Sequence, residues 1–302
     1  MKYSNHFDVI IVGGSYSGLA AGMALGRALR KVLIIDSGNP CNKQTPHSHN
    51  FLTNDGKTPE EIAGIAKQQL QKYDTVSFLE AWVASGRKTE GGFELQIQSG
   101  ETYTARKLVF ATGIKDIMPG IPGFAECWGI SVLHCPYCHG YEVRRQKTGI
   151  LANGTDAFEL VSLISNWTDD LTLYTNDKSM LSEQQSNKLY THKVNISEKK
   201  IDHIEHKNGY IENIIFSDKE RVPLKALYAR VPFAQQSSVP LSLGCEVSPE
   251  GYFKTDFQQR TSVRGIFACG DNSSRMRTVA NAVSTGTAAG IMVNRELIEE
   301  DF

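Results

Sequence analysis

The chain has 302 residues, enough for about two domains, and 40% of them are hydrophobic, as in ordinary globular proteins. Its 32 Lys and Arg residues nearly balance its 33 Asp and Glu residues, so its charge gives no reason to expect nucleic acid as a partner. The sequence has no run of 18 apolar residues and no signal-peptide pattern in its polar start, which excludes a membrane span and predicts a cytoplasmic protein.

The first predicted elements form a βαβ unit. Phe7 to Val12 is a short apolar run that ends in glycines, which is typical of a buried parallel strand. Ser17 to Ala28 has small and apolar residues at helical spacing, and Lys31 to Asp36 predicts a second buried strand.

A glycine-rich turn joins the first strand to the helix, with the sequence Gly13-Gly14-Ser15-Tyr16-Ser17-Gly18. In this context the first glycine permits a tight turn, the last permits close packing, and free N–H groups at the helix start can bind a pyrophosphate. Asp36, at the end of the second strand, can accept hydrogen bonds from a ribose diol. A glycine-rich turn alone occurs in many α/β proteins, but the whole arrangement predicts a dinucleotide site.

The middle and end of the chain contain a second set of elements. Phe93 to Gln98 and Thr102 to Thr104 predict a hairpin, and Leu108 to Thr112 predicts a buried strand that Gly113 ends. Pro and Gly residues between Pro119 and Gly123 predict a domain boundary. The later predictions are a strand at Thr148–Ala152, a helix at Asp156–Trp167, a strand at Leu171–Tyr174, alternating strand patterns at Lys199–Phe216, a linker at Pro232–Pro240, a strand at Gly265–Cys269 and a helix at Thr278–Glu299.

The most informative segment is Cys135-Pro136-Tyr137-Cys138-His139-Gly140. It matches the c-type haem attachment pattern, but nothing in the sequence indicates export or a haem pocket. A structural zinc site needs a second close pair of ligands, which Cys127 and His134 do not supply. Glutaredoxins place Cys-Pro-Tyr-Cys after the first strand of a small fold, whereas here it lies in mid-chain. A redox disulfide that works with a flavin fits this context.

The chemistry of the segment supports the redox disulfide. Two intervening residues allow a disulfide at a helix start, and Pro136 suits a first helical position. A helix N-terminus lowers the pKa of a thiol, and the thiolate is the reactive form. His139 lies next to Cys138 and can carry a proton near neutral pH. We therefore predict Cys135, Cys138 and His139 as catalytic residues.

Together these motifs resemble the low-molecular-weight thioredoxin reductase family over nearly the whole chain. The resemblance rests on the glycine-rich turn, Asp36, Ala111-Thr112-Gly113, the cysteine segment, Ala268-Cys269-Gly270-Asp271, Arg277-Thr278-Val279, Gly286 and Ala288-Ala289. It implies FAD as cofactor, with Asp271 at the ribityl–phosphate region, Val279 near the flavin ring and Cys138 facing the flavin. The implied cofactor-binding residues are Gly13, Gly14, Ser15, Tyr16, Ser17, Gly18, Asp36, Ser37, Asn42, Ala111, Thr112, Gly113, Gly270, Asp271, Arg277, Thr278 and Val279.

The predicted fold class is α/β, with two Rossmann-like three-layer domains, the second inserted into the first. Residues 1–117 and 236–302 are expected to form an FAD-binding domain. Residues 118–235 are expected to form an inserted NAD(P)-binding-like domain that carries the cysteine pair. The family resemblance also implies a homodimer.

Four departures from the family pattern matter. The acid that usually follows the second cysteine is His139, and the middle FAD glycine is Ser15. The second nucleotide motif, Ala152-Asn153-Gly154-Thr155-Asp156-Ala157, lacks its first glycine. The arginines that hold the NADPH 2′-phosphate in the family align with Asn176 and Asp177. Losing two hydrogen bonds to a charged group costs about 3–6 kcal/mol, so tight NADPH binding is not expected.

The stretch Cys-Pro-x-Cys-His-Gly-Tyr-Glu, which ends at Glu142, is similar to a branch of the family that includes gliotoxin- and holomycin-type dithiol oxidases. Those enzymes pass electrons through FAD to oxygen without NADPH. The sequence thus predicts an FAD-dependent thiol–disulfide oxidoreductase, acting as a dithiol oxidase or with an electron partner other than NADPH. The expected partner is a small-molecule dithiol or a thioredoxin-like protein disulfide. The alternatives are an NAD(P)H-dependent thioredoxin-disulfide reductase and a non-enzymatic flavin redox sensor.

The remaining candidate side chains are expected to be structural. His47 and His49 follow the second strand and are interpreted as surface histidines, with a second proton relay as the alternative. The other cysteines are interpreted as structural thiols, and no metal is expected; these cysteines are Cys41, Cys127, Cys245 and Cys269.

Overall fold

The structure is a computed structural model that describes residues 5–302. The first four residues of the predicted FAD-binding domain lie outside the described residues. The chain divides into two compact units. Unit 1 contains residues up to 43, 50–115 and 233–302, and unit 2 contains residues 44–49 and 116–232. The sequence-based boundaries were placed after residues 117 and 235 and did not assign residues 44–49 to the inserted unit.

Strands occur in both units. Within residues 5–302 they are β1 (His6–Val12), β2 (Val32–Asp36), β3 (Val76–Glu80), β4 (Val83–Thr89), β5 (Gly92–Ile97), β6 (Thr102–Phe110), β7 (Ile114–Asp116), β8 (Val132–Leu133), β9 (Thr148–Leu151), β10 (Leu171–Tyr174), β11 (Asn195–Ser197), β12 (Ile201–Lys207), β13 (Tyr210–Phe216), β14 (Arg221–Pro223), β15 (Ala226–Ala229), β16 (Phe233–Gln235) and β17 (Ile266–Ala268).

Helices connect these strands, and the last helix ends near the C-terminus of the chain. Within the same described range they are α1 (Tyr16–Arg27), α2 (Pro59–Leu70), α3 (Phe124–Cys127), α4 (Pro136–His139), α5 (Gly154–Ile164), α6 (Glu183–Thr191), α7 (Val239–Ser242) and α8 (Val279–Asp301). None of them combines the length and the apolar content that a membrane-spanning helix requires, as far as residues 5–302 are concerned.

Unit 1 is built on a seven-stranded sheet in the order β3-β2-β1-β6-β5-β4, with β17 also paired to β6. β1, β2, β3, β6 and β17 pair in parallel, whereas β4 and β5 are antiparallel. Successive residues of β1 point to opposite faces, so Val9 and Ile11 pack in one core cluster and Ile10 and Val12 in the other. Burial on both faces explains the continuous apolar runs that predicted these strands.

The helices α1 and α8 pack closely in unit 1 because α8 has glycines at the contact. A Cβ atom at Gly286 would overlap the carbonyl of Ser17, and one at Gly290 would press on the carbonyl of Ala21. The two backbones therefore approach more closely than larger side chains would allow.

Unit 2 is built on a parallel five-stranded sheet in the order β11-β10-β9-β15-β8. Helix α5 covers this sheet with Ala157, Leu160, Val161 and Ile164, whose spacing places them on one face. A second, antiparallel sheet of β12, β13 and β14 adjoins it in the same unit. The prediction of a mixed α/β fold with parallel sheet cores and a second nucleotide-type unit is confirmed.

Two local predictions were wrong. Thr102–Thr104 and Leu108–Thr112 were expected to be separate strands, but β6 is continuous and ends at Phe110. The charged residue Lys107 does not interrupt it, because its ammonium lies 3.1 Å from Glu296 and 2.6 Å from Glu300 in α8. The expected linker at 232–240 contains strand β16 and helix α7.

Candidate active site

The cysteine pair lies at the carboxyl end of a parallel strand in unit 2. β8 ends at Leu133, and Cys135 then caps the short helix α4, with Pro136 as its first residue. Proline is favoured there because the first helical N–H has no partner within the helix. Cys135 and Cys138 form a disulfide whose Cα atoms are 5.3 Å apart. The predicted redox pair is therefore assembled as a disulfide at a helix start.

His139 ends helix α4, directly after Cys138. Its burial, together with the nearby charge of His49, lowers the pKa of His139 from 6.5 to about 4. The ring is thus neutral at physiological pH while the disulfide is intact. A neutral imidazole can accept a proton, as the chemistry of an attacking thiol requires.

Residues 44–49 bring a further histidine into unit 2. The Gln44 side chain donates hydrogen bonds to the carbonyls of Ala125 and Trp128, which attaches this segment to the unit. At its end, His49 Nε2 lies 3.6 Å from Glu142 Oε1. His47 is exposed, as expected, but the side chain of His49 is only 19% exposed. The surface interpretation therefore fails for His49, which joins His139 and Glu142 in one cluster.

Aromatic side chains flank the disulfide. Tyr137 lies between the two cysteines in sequence and packs edge-on against Trp167, with ring centroids 5.4 Å apart. Arg144 stacks over the Tyr141 ring at 3.8 Å. Both tyrosines are largely exposed, at 62% and 66%. Exposed rings of this kind offer contact area to an apolar or aromatic substrate.

The other cysteines lie apart from this chemistry. Cys127, Cys245 and Cys269 are buried and form no disulfide within the described chain, while Cys41 is exposed. Burial raises the pKa of Cys127 to about 11 and that of Cys269 to about 12, so both remain protonated. Within residues 5–302, no group of three or more His, Cys, Asp or Glu side chains is placed to hold a metal ion.

The glycine-rich turn of unit 1 has the geometry of an anion site. Gly13 has φ +104°, and a Cβ atom there would overlap the carbonyl oxygen of Ala111. Gly14 donates its N–H to Asp36 Oδ1 at 3.0 Å. Helix α1 begins after Ser15, whose side chain makes no capping hydrogen bond, and none of the residues in its first turn is acidic. Its N–H groups are therefore suited to a pyrophosphate.

Other predicted cofactor residues surround the same sheet edge. Ser37 is exposed just after β2, and Asn42 Nδ2 donates to the Tyr16 hydroxyl at 3.2 Å. Thr112 Oγ1 accepts a hydrogen bond from Asn272 Nδ2 at 3.3 Å. Asn272 is fully buried, yet its Oδ1 has no hydrogen-bond partner among the described atoms. A buried carbonyl without a partner fits a bound polar group at this edge.

The second predicted cofactor segment follows β17. Gly270 takes φ +82°, which lets the chain turn sharply after the strand. Arg277 Nε lies 3.8 Å from Asp271 Oδ2, and both side chains are mostly buried. Thr278 caps helix α8, which begins at Val279 with no acid in its first turn. Unit 1 thus offers a second helix N-terminus and a second buried carboxylate, as a flavin dinucleotide requires.

The corresponding positions of unit 2 are engaged in the protein's own structure. Asn176 Oδ1 accepts the N–H of Ile201 at 2.7 Å, and Asp177 Oδ1 accepts the N–H of Lys178 at 2.7 Å. Neither side chain offers positive charge to a 2′-phosphate. That NADPH is not bound tightly stays a prediction of the sequence.

Some residues of the candidate site were not assigned from the sequence. Asn272 was not predicted as a cofactor-binding residue, because its position next to Asp271 is the only signal in the sequence that marks it. Glu142 was quoted within the motif, but its contact with His49 was not foreseen. The two residues are 93 positions apart (142 minus 49), and no local pattern predicts that distance.

Comparisons with known proteins agree with this architecture. The sequence pattern of the pyridine nucleotide-disulphide oxidoreductase family matches residues 7–286. The thioredoxin reductase tcpT of Claviceps purpurea is 34% identical over 99% of this chain and 97% of its own. An oxidoreductase from Agrobacterium tumefaciens is 35% identical, with a TM-score of 0.91 over 97% of this chain and 99% of its own. The structure of HlmI is 29% identical in sequence, with a TM-score of 0.93, and the match covers 100% of this chain and 95% of HlmI.

These matches span both units, including the disulfide segment and the glycine-rich turn of unit 1. They confirm the predicted resemblance, the fold and the enzyme class. The chain therefore belongs to the pyridine nucleotide-disulphide oxidoreductase family and is an FAD-dependent oxidoreductase that acts on sulfur groups.

Proposed function

We propose that the protein oxidises small dithiols at Cys135–Cys138 and passes the electrons through FAD to an acceptor other than NADP⁺. The observation that carries this proposal is the disulfide at the start of α4, followed directly by a histidine that burial keeps neutral. An oxidised pair beside a proton acceptor is ready to receive a dithiol.

The proposed reaction exchanges one disulfide for another. A substrate thiolate attacks Cys135 Sγ, forming a mixed disulfide and releasing Cys138 as a thiolate. The second substrate thiolate then attacks the substrate sulfur of the mixed disulfide and releases Cys135. The substrate loses two electrons and two protons, and the cysteine pair gains the two electrons. Bound FAD would supply the acceptor for this electron pair, which would let Cys135 and Cys138 re-form their disulfide.

His139 is proposed as the group that moves the protons. It is bonded through the backbone to Cys138 and is neutral at pH 7, so a ring nitrogen is free to take a proton. The Cys138 thiolate released by the exchange would raise the low pKa of this ring and favour that protonation. His49 and Glu142 are proposed as positioning residues that set the charge around His139. Cys138 is proposed as the sulfur that delivers the electron pair to FAD.

The proposed cofactor-binding residues are those of unit 1. The support is the open N-terminus of α1, the Gly14–Asp36 hydrogen bond and the unpaired amide oxygen of Asn272. The residues proposed to contact FAD are Gly13, Gly14, Ser15, Tyr16, Ser17, Gly18, Asp36, Ser37, Asn42, Ala111, Thr112, Gly113, Gly270, Asp271, Arg277, Thr278 and Val279.

The second candidate function is an NAD(P)H-dependent thioredoxin-disulfide reductase. It is favoured by the names of several relatives, among them the thioredoxin reductase tcpT. It is disfavoured by Asn176 and Asp177, which replace positive charge with a neutral amide and a carboxylate. A thioredoxin-like protein disulfide would then be the substrate in place of a small dithiol.

Anaerobic titration of the purified flavoprotein separates the two candidates. A small dithiol such as dithiothreitol should bleach the flavin absorbance of the wild type, and Cys135→Ser and Cys138→Ser should each abolish the bleaching. Cys41→Ser, at an exposed thiol outside the site, should leave it unchanged. Fast bleaching by NADPH with none by the dithiol would reject the proposal and favour the reductase.

The quaternary structure and the compartment are also matters of proposal. We propose a homodimer, on the family resemblance, and light scattering of the holoprotein at micromolar concentration should report twice the 33.4 kDa chain mass. A monomer mass would reject it. The cytoplasmic location stays a prediction of the sequence.

A further inference from the structure

In the second nucleotide-type turn, which lies in unit 2, the side chain of Asn153 is hydrogen-bonded to the start of the following helix. β9 ends at Leu151 and α5 begins at Gly154, the same strand–turn–helix arrangement that starts unit 1. In such a turn the ligand phosphates bind to the N–H groups at the helix start. Ala152 stands at the first glycine position of the motif, and Asn153 stands where the turn of unit 1 has Gly14. The Asn153 side chain lies over the helix start.

Asn153 makes three hydrogen bonds in this position. Its Oδ1 accepts the N–H of Gly154 at 2.9 Å and the N–H of Met180 at 2.8 Å. Its Nδ2 donates to the carbonyl of Lys178 at 3.0 Å. Both lone pairs of the amide oxygen are therefore used, and one of the helix N–H groups that a phosphate would bind, that of Gly154, is already satisfied. The same bonds join the turn to the 177–180 loop after β10.

The charges around this turn are also unsuitable for an anion. Asp156 lies in the first turn of α5, where it already complements the positive end of the helix. Arg230, the nearby cation from the end of β15, lies 3.9 Å from Asp156 and 3.6 Å from Glu159. A pyrophosphate at this place would meet two carboxylates beside one engaged arginine.

We propose that Asn153 is a specificity-determining residue that closes unit 2 to nicotinamide dinucleotides. Its amide takes the place of the dinucleotide phosphate and holds the 177–180 loop against α5. The unit keeps a nucleotide-type fold as a scaffold for the disulfide but does not bind the nucleotide. This inference rests on the part of the proposed function that excludes NADP⁺ as electron acceptor, and it is independent of whether a small dithiol is the substrate.

The test compares nucleotide binding by the oxidised holoprotein and its variants. NAD⁺ and NADP⁺ are used as calorimetric titrants because neither reduces the flavin. The wild type should not approach saturation at about 1 mM of either nucleotide. Asn153→Gly should bind NAD⁺ at least about tenfold more tightly, which is the effect of one recovered hydrogen bond to a charged group. Asn208→Gly, at an exposed hairpin position with φ +52°, is the matched control and should behave as the wild type.

A second variant and a second readout keep the test decisive if Asn153→Gly does not fold. Asn153→Ala removes all three hydrogen bonds and suits the extended backbone at this position, with φ −140°. Hydrogen exchange of the Met180 amide should accelerate in this variant, which shows that the loop has been released. Loop release without tighter NAD⁺ binding would overturn the inference, as would micromolar binding of either nucleotide by the wild type.

Discussion

Acidification should weaken the fold of this protein through His139. The folded-state pKa of this ring is about 4, because it is buried and lies near the charge of His49. In the unfolded chain a histidine titrates near 6.5. Between these two values the unfolded chain binds a proton that the folded chain does not, so stability falls as the pH is lowered through this window.

The size of the effect follows from the two pKa values. At pH 7.5 both states are almost fully neutral at His139, and the contribution is close to zero. At pH 5.0 the unfolded ring is protonated and the folded ring is largely neutral, which destabilises the fold by about 2 kcal/mol. Other groups also titrate over this range, so the contribution of His139 must be isolated by substitution.

The substitution is His139→Asn, which keeps a polar planar group but cannot titrate. Urea unfolding of the oxidised holoprotein is followed by tryptophan fluorescence, to which Trp128 and Trp167 of unit 2 and Trp82 of unit 1 contribute. From pH 7.5 to 5.0, the wild type should lose about 2 kcal/mol more unfolding free energy than the variant. Equal losses in the two proteins would refute this reasoning, as would an NMR titration that places the His139 pKa near 6.5.

Three other substitutions test the site and its support. His49→Ala should raise the pKa of His139 only part of the way towards 6.5, because burial is the larger cause of its depression; an NMR titration measures this. Gly13→Ala should yield protein without flavin, seen in the ratio of flavin to protein absorbance, because the added methyl overlaps a backbone carbonyl. Lys107→Ala should lower the free energy of unfolding by about 2–3 kcal/mol, because this ammonium is buried with two carboxylates. As the control, the exposed Lys199→Ala should lower it clearly less in the same denaturation assay, because solvent screens this ion pair.

The parts of the fold that the sequence predicted are those with strong local signals. The strand and helix around Gly13 were found because buried parallel strands form continuous apolar runs and the turn requires glycine. The disulfide segment was found because Pro136 and the two cysteines are adjacent in sequence. In each of these segments the residues that determine the structure are close neighbours along the chain.

Apart from one helix, the parts that were missed depend on contacts distant in sequence. The predicted strands at Thr102–Thr104 and Leu108–Thr112 left a gap that β6 fills, and the partners of Lys107 in that gap, Glu296 and Glu300, come almost 200 residues later. Helix α2 has a capping box at Thr58, which is a local signal, yet it was not assigned. His49 seemed a surface residue, because its approach to Glu142 depends on how residues 44–49 pack in unit 2.

At the carboxyl edge of the unit 2 sheet, the redox disulfide and the nucleotide-type turn occupy neighbouring positions. In parallel α/β sheets, ligands bind where strands end, so every segment that follows a strand contributes to the same region. Here the segment after β8 carries the Cys135–Cys138 disulfide, and the segment after β9 carries the amide of Asn153 over the start of α5. In the inference above, Asn153 occupies one helix N–H that a phosphate would otherwise bind, so this edge needs no nucleotide at that position. Restoring NAD⁺ binding should then start at Asn153 and the carboxylates beside Arg230, whereas NADPH would also need positive charge near Asn176 and Asp177. The strands that hold the cysteines can remain as they are.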